Sequence, residues 1–404
     1  MIFIGCDWSR RKHDLNIMNS NGETLLKTAI DHSGESLAAL AQKIACFEPD
    51  TEKVSVCIEL HNGSMLAWML DRGYTVYGIN PKSAERSRDR YRCSGSKDDN
   101  IDAFVLADII RTNTGYFRPI RRESERTREL RAWVRMRAGK VHETTATYQR
   151  LRAILDEWCP GLSILCNDLN NMWQRDLLMD FPLHKDLCSA HGNRINTFAK
   201  KHRLQKATRK RIQETKEQLP LPIPEGLLDA LRMEIRLLIE SIENLAKTIS
   251  KIEAKLDQLI DSHPDSVIFK SLPVSGTATV AAFLSAFGQN RENAPHWREL
   301  SARWGAAPVT VKSGKSCHVK RRRACDHTMK QAFVAFAFNT AFKQGCWASE
   351  YYQHKRKNGA GHHTTLRCIS QKWIKIIYCL WKNRILYAEH VHQNNRLLQG
   401  EHAA

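Results

Sequence analysis

Four carboxylates, Asp7, Glu59, Asp99 and Asp102, fall at the ends of strand-like and helix-like segments in the first quarter of the chain. Asp99 and Asp102 are spaced i, i+3, so on a helix both side chains point the same way. Oxygen donors grouped in this manner suit hard divalent cations. A metal pair can activate an attacking oxygen and stabilise a leaving one in phosphodiester chemistry, so two Mg²⁺ ions are expected, with Mn²⁺ the alternative. Taken singly, each acid has a plainer explanation: Asp7 could terminate a strand, Glu59 could pair with an arginine, and Asp98-Asp99 could cap a helix. Their joint occurrence in a strongly basic chain favours the metal site.

A second chemical candidate is Ser313, inside the segment Gly305 to Ser316 that reads GAAPVTVKSGKS. A serine hydroxyl is a weak nucleophile unless a base, a metal or local positive charge favours its alkoxide. Lys312 and Lys315 flank it, and Lys320, Arg321, Arg322 and Arg323 follow. The spacing leaves two possibilities open, a nucleophile or a loop serine in a phosphate-binding basic patch. Ser316 is its rival.

The elements that would position these groups can be read from hydrophobic periodicity. Ile2 to Asp7, Asp14 to Met18 and Glu23 to Ile30 alternate as strands, with Ser20-Asn21-Gly22 as a hairpin turn. A helix pattern over Gly34 to Phe47 precedes a strand at Val54 to Glu59, a helix near Ser64 to Arg72, a strand at Thr75 to Asn80, and the helix carrying Asp99 and Asp102. The order strand, strand, strand, helix, strand, helix, strand, helix belongs to ribonuclease-H-like α/β folds. In such a sheet the first and fourth strands are neighbours, which brings Asp7 and Glu59 together.

Beyond it, Glu125 to Trp158 reads as one long helix ended by Cys159-Pro160-Gly161. A polar, basic stretch from Arg194 to Gln218 closes on the extended segment Leu219 to Pro224. From Leu228 to Leu259 apolar residues alternate spacings of three and four, the signature of a coiled-coil seam. Its expected partner is a helix of a second protomer, or else the Glu125 to Trp158 helix. Pro273-Val274-Ser275-Gly276 before a small-residue helix reads either as a phosphate-holding helix-hairpin-helix turn or as an ordinary tight turn. Further helices are expected over Thr328 to Lys343 and Thr365 to Tyr387. The expected organisation is an acidic α/β domain over 1–120, a helical coiled-coil region with a basic insertion over 121–265, and a mainly α domain carrying the serine over 266–404.

Composition narrows the partners. The 404 residues hold 62 Lys and Arg against 43 Asp and Glu, a formal net charge of +19. That balance favours a polyanion, bound with counterion release. No apolar run reaches the roughly 18 to 20 residues of a membrane-spanning helix, so a cytoplasmic protein without a membrane partner is expected. The 12 cysteines are scattered with no CxxC pair, which argues against a zinc site and for reduced thiols packed as small apolar groups.

The segments FIGCD at Phe3 to Asp7, CIEL at Cys57 to Leu60, INP at Ile79 to Pro81 and KDDNIDAFVLAD at Lys97 to Asp108 resemble the DEDD transposases of the insertion-sequence one-ten family and its one-one-one-one subgroup. SLPVSGTATVAAFLSAFG and WGAAPVTVKSG resemble that family's second domain. The resemblance implies a RuvC-like acidic domain, with Asp7, Glu59, Asp99 and Asp102 as the metal-binding tetrad and Ser313 as the catalytic serine. It further implies a bacterial transposase that cuts and rejoins donor and target DNA. Guidance by a structured RNA from the mobile element is implied as well. So is a composite site shared between protomers of a dimer or tetramer. A related Piv-type DNA invertase would use the same residues. A junction-resolving nuclease would use the carboxylates alone, and a basic binding module would need neither them nor Ser313.

Whichever of these holds, the cluster Lys312, Lys315 and Lys320 to Arg323 predicts salt-sensitive binding. The logarithm of affinity for a nucleic acid should fall linearly with the logarithm of salt concentration. Filter binding at several ionic strengths checks this, and a flat response would remove the basic loop from the interface.

Overall fold

A computed structural model describes residues 1–59, 63–79, 81–88, 99–120, 123–291, 295–314 and 316–390. They fall into two units, Met1–Glu123 and Ser124–Ala404. The first is α/β and the second mainly helical.

In the first unit, β1 (Ile2–Trp8), β2 (Lys12–Met18) and β3 (Thr24–Asp31) form an antiparallel meander. Helix α1 (Gly34–Phe47) follows, its N-cap Ser33 accepting the amide of Ser36. Then come β4 (Val54–Ile58), α2 (Ser64–Asp71), β5 (Thr75–Gly78), α3 (Pro81–Arg88), α4 (Asp99–Asn113) and the short β6 (Pro119–Ile120). The sheet order is β3-β2-β1-β4-β5-β6, with β4 parallel to β1 and to β5. This is the expected arrangement, with β1 and β4 side by side.

Strand alternation gives the sheet two buried faces. Ile2, Ile4 and Cys6 of β1 and Val54, Val56 and Ile58 of β4 pack with Leu40 and Ile44 of α1 and with Met65 and Met69 of α2. Phe3 and Cys57 instead join Val105, Leu106, Ile109 and Ile110 of α4 on the other side. One position in β1 decides how close α4 comes. A Cβ added at Gly5 would lie 1.9 Å from the carbonyl oxygen of Ala103 and 2.5 Å from the amide nitrogen of Ala107, so the backbone of α4 rests directly on the strand.

The second unit is organised by two long helices, α5 (Glu125–Trp158) and α11 (Glu225–Asp261). Between them in sequence lie five shorter helices: α6 (Pro160–Leu165), α7 (Met172–Asp180), α8 (His184–Ser189), α9 (Gly192–Lys201) and α10 (Lys206–Glu217). After them come α12 (Ser266–Lys270), α13 (Thr277–Phe287), α14 (Trp297–Arg303), the hairpin β7 (Val309–Ser313) and β8 (Ser316–Lys320), then α15 (His327–Ala341), α16 (Trp347–Lys357) and α17 (His362–Asn383).

Helices α5 and α11 run antiparallel, as their ion pairs Arg150–Glu234 (2.6 Å), Arg137–Glu253 (2.7 Å) and Lys255–Glu129 (3.5 Å) record. They are joined through two separate cores. Leu151 and Leu155 meet Leu231, Ile235 and Ile239 together with α6 to α10, whereas Leu130 and Val134 meet Ile252 and Leu256 together with the C-terminal helices. No residue of α5 between Val134 and Leu151 is buried, so the apolar seam of α11 does not meet a matching continuous seam. The coiled-coil expectation is not confirmed: most buried residues of α11 join two separate cores built from this chain's own helices. In the basic stretch from Arg194, Ile195, Phe198 and Ile212 are buried as α9 and α10 close one core.

Charging the seam with Ile242→Glu and Ile249→Glu should then destabilise the helical unit itself, because Ile242 is fully buried among this chain's own helices. Urea unfolding midpoints should drop by the same amount at low and high protein concentration. A loss that appears only on dilution would mean that the seam is shared between copies.

Candidate active site

Of the acids that the sequence singled out, Asp7, Glu59 and Asp102 lie on α4's side of the sheet. Asp7 follows Phe3 and Gly5 in the alternation of β1, and both of those face α4. Glu59 stands one residue past β4, in phase with Cys57, and its charge acts with burial to push the Cys57 thiol up to about 12. Asp102 sits in the first turns of α4, one turn before Leu106, and is only 5 % exposed. Asp99 is the first residue of that helix, but its side chain lies outside the described residues. The helix N-terminus carries a partial positive charge that favours acids in this turn.

The structure adds one acid that the sequence did not single out. Asp14 of β2 is the direct antiparallel partner of Asp7, so both side chains leave the sheet on the same side. Burial pushes the Cys6 thiol far up, and the nearby carboxylates of Asp7 and Asp14 add to the effect. Its signal in the sequence is the polar alternation of Asp14 and Asn16 between Leu15 and Ile17. Finding the pairing also requires recognising the three-residue connection Ser9 to Arg11.

By chemistry this donor set fits a hard divalent cation, because it offers carboxylate oxygens from a strand, a strand end and a helix. Among the described residues, no group of three or more His, Cys, Asp or Glu side chains is gathered closely enough to hold an ion.

Ser313 lies in the other unit. It ends β7 and pairs across the hairpin with Ser316 around Gly314, whose φ of 54° is the left-handed conformation that glycine adopts without strain. Every residue of β8 is exposed, and so are Thr310 to Ser313 of β7. The ribbon thus offers both serines to solvent. Its register separates the neighbouring charges. Ser313, Ser316, His318 and Lys320 share one face, while Lys312 pairs with Cys317 and belongs to the other. Among the described flanking residues, Lys312 therefore lies on the opposite face of the ribbon from Ser313, and His318 on the same face. Lys315 lies outside the described residues; Arg321 and Arg323 are exposed, and Arg322 donates to the carbonyl of Ala307 at 3.4 Å. The turn before α13 leaves its N-cap Gly276 without a side-chain cap, and Val274 there has φ 51°, a strained value for a β-branched residue.

Comparison with known proteins covers both regions. Residues 4–160 match a DEDD transposase family, and residues 266–353 match the transposase IS116/IS110/IS902 family. The chain belongs to the IS110 family of DEDD transposases. A Streptomyces coelicolor mini-circle transposase candidate for IS117 is 25% identical over 393 residues, covering 94% of each chain. The 43.6 kDa protein of insertion element IS110 from the same organism is 25% identical over 96% of this chain and 95% of its own length. A Sinorhizobium fredii relative described as a transposase, y4uE, is 30% identical over 50% of this chain and 57% of its own length. As a DNA transposase of this family, the chain acts on phosphodiester bonds. Among the described residues, no helix is long and apolar enough to cross a membrane.

If the contact of α4 with β1 positions Asp102, Gly5→Ala should weaken both folding and activity. The added methyl should destabilise the first unit by about 1–3 kcal/mol or more. Chemical denaturation of the purified variant, read beside its transposition frequency, tests the link. Wild-type stability with wild-type activity would show that α4 can shift without consequence.

Proposed function

We propose that the transposase cuts and rejoins DNA with a divalent-metal site on its first unit and a serine nucleophile on its second. The observation that supports the metal site is that Asp7, Glu59 and Asp102 share α4's side of the sheet in a chain of this family. Asp7, Glu59, Asp99 and Asp102 would hold Mg²⁺, or Mn²⁺ in its place. The ion would supply charge neutralisation at the phosphate.

On the chain's side, the ribbon presents Ser313 Oγ to a DNA phosphorus. A bond forms between Oγ and phosphorus, and the bond from phosphorus to the 3′ oxygen breaks. The serine proton passes to a base, for which His318 on the same ribbon face is suited, and the released 3′ oxygen takes up a proton. The strand end stays attached to the protein through its 5′ phosphate until another 3′ hydroxyl reverses the step. The covalent link keeps that end from water, which hydrolysis by the acidic site alone would not do. Lys320, Arg321, Arg322 and Arg323, with Lys312 and Lys315, bind phosphates around it, while Gly314 allows close backbone approach. A structured RNA from the element guides the choice of donor and target DNA, and the complete site combines the acidic unit of one protomer with the serine unit of another.

A mixing experiment tests this arrangement. Asp102→Asn should lower strand transfer by about 10²-fold or more, and Ser313→Ala should abolish it. When the two variants are mixed and reassembled, activity should return in part, because some oligomers pair an intact acidic unit with an intact serine. If each variant is inactive and the mixture stays inactive, both groups act within one protomer. Full activity of either variant alone would remove that residue from the mechanism.

A further inference from the structure

Helix α15 uses one side for packing. Phe333 stacks on Phe283 at 4.6 Å between ring centroids, and Phe336 meets Trp373 edge-on at 5.0 Å. Phe338 and Phe342 lie four residues apart and leave the helix on another side, exposed by 46% and 59%. The two rings are 4.9 Å apart, and Phe342 lies 5.2 Å from Tyr352 of α16. His362 at the start of α17 extends the group, 6.2 Å from Phe338 and 5.8 Å from Tyr352, whose hydroxyl it meets at 2.7 Å. His363 continues it at 5.0 Å. Five rings thus run across three helices.

Large exposed aromatic rings are costly in water unless something covers them. The surrounding charge indicates what that is. Residues 327–384 contain ten Lys and Arg and a single acid, Glu350. Lys343 directly follows Phe342, and the last turn of α16, beside Tyr352, is His354, Lys355, Arg356 and Lys357. Ten Lys and Arg against one acid around the rings favour a polyanionic partner. Unpaired nucleotides fit both features, since their bases stack on aromatic faces while their phosphates follow lysine and arginine. A duplex offers the phosphates but keeps its base faces stacked inside.

We propose that the Phe338–Phe342 platform binds a single-stranded segment of nucleic acid by base stacking. The proposal rests on the reading of this chain as a protein that acts on nucleic acid, and it adds a site distinct from the ribbon that carries Ser313. RNA and unpaired DNA share the chemistry, and the measurement separates them.

The full chain is titrated with fluorescent oligo-U, oligo-dT and a DNA duplex of equal length, with and without Phe338→Ala and Phe342→Ala together. Both side chains are exposed, so the fold should survive, which circular dichroism checks. Single-strand affinity should fall about tenfold or more with the slope against salt unchanged, while duplex affinity stays the same. Phe338→Trp with Phe342→Trp should restore binding. A larger loss for oligo-U than for oligo-dT would assign the platform to RNA, and the reverse to DNA. Equal single-strand affinity in wild type and the alanine variant would overturn the proposal, as would a variant that changes only the oligomeric mass. Absence of binding to any of the three probes by the wild-type chain would overturn the functional reading itself.

Discussion

The acidic site depends on a missing side chain. Because Gly5 carries no Cβ, the backbone of α4 settles onto β1 at Ala103 and Ala107. Any other residue would push the helix outward, and Asp102 with it. The same contact sets α4 beside the strands that carry the other acids: Asp7 lies in β1, Glu59 follows β4, and Asp102 lies in α4. The acids on this edge repel one another, most directly Asp7 and Asp14, which are opposed in register. Such an arrangement is sustained by tight packing beneath it.

The helical unit solves a different problem. A helix of 37 residues, α11, has too much apolar surface for one partner, and the chain covers it with two cores built from distant segments. One core recruits the short helices between α5 and α11; the other recruits the aromatic C-terminal helices. The ribbon of β7 and β8 rises from the unit that holds this second core, and its exposed residues contribute nothing to either one. A surface element of this kind, narrow, basic and tipped by Ser313-Gly314, is free to enter a groove or meet a phosphate without disturbing the packing behind it.

Much of this was legible from residue patterns. The apolar runs of β1 and β4 marked them as strands, and Cys159-Pro160-Gly161 marked the end of α5 at Trp158, where it is observed. Legibility failed where partners had to be known. The periodic seam of α11 says only that something covers it, and α5, polar through its middle, gives little sign of being that partner. Helices α9 and α10 were hidden because so few of their residues face the core. Helix α16 was missed because its last turn is almost wholly basic. Asp14 and His318 escaped notice because a residue's face in a hairpin follows from register, which a one-residue change in the loop would reverse. Phe338 and Phe342 fit the helical period well enough to pass for core.

The central claim joins the two units in one covalent step, and the residue linked to DNA reports on it most directly. Native protein would be incubated with a donor DNA substrate, quenched in denaturant and digested, and the DNA-linked peptide sequenced by mass spectrometry. The account predicts a phosphodiester on Ser313, absent from the Asp102→Asn variant. A linkage at Ser316, or efficient cleavage with no protein-linked DNA at all, would contradict it.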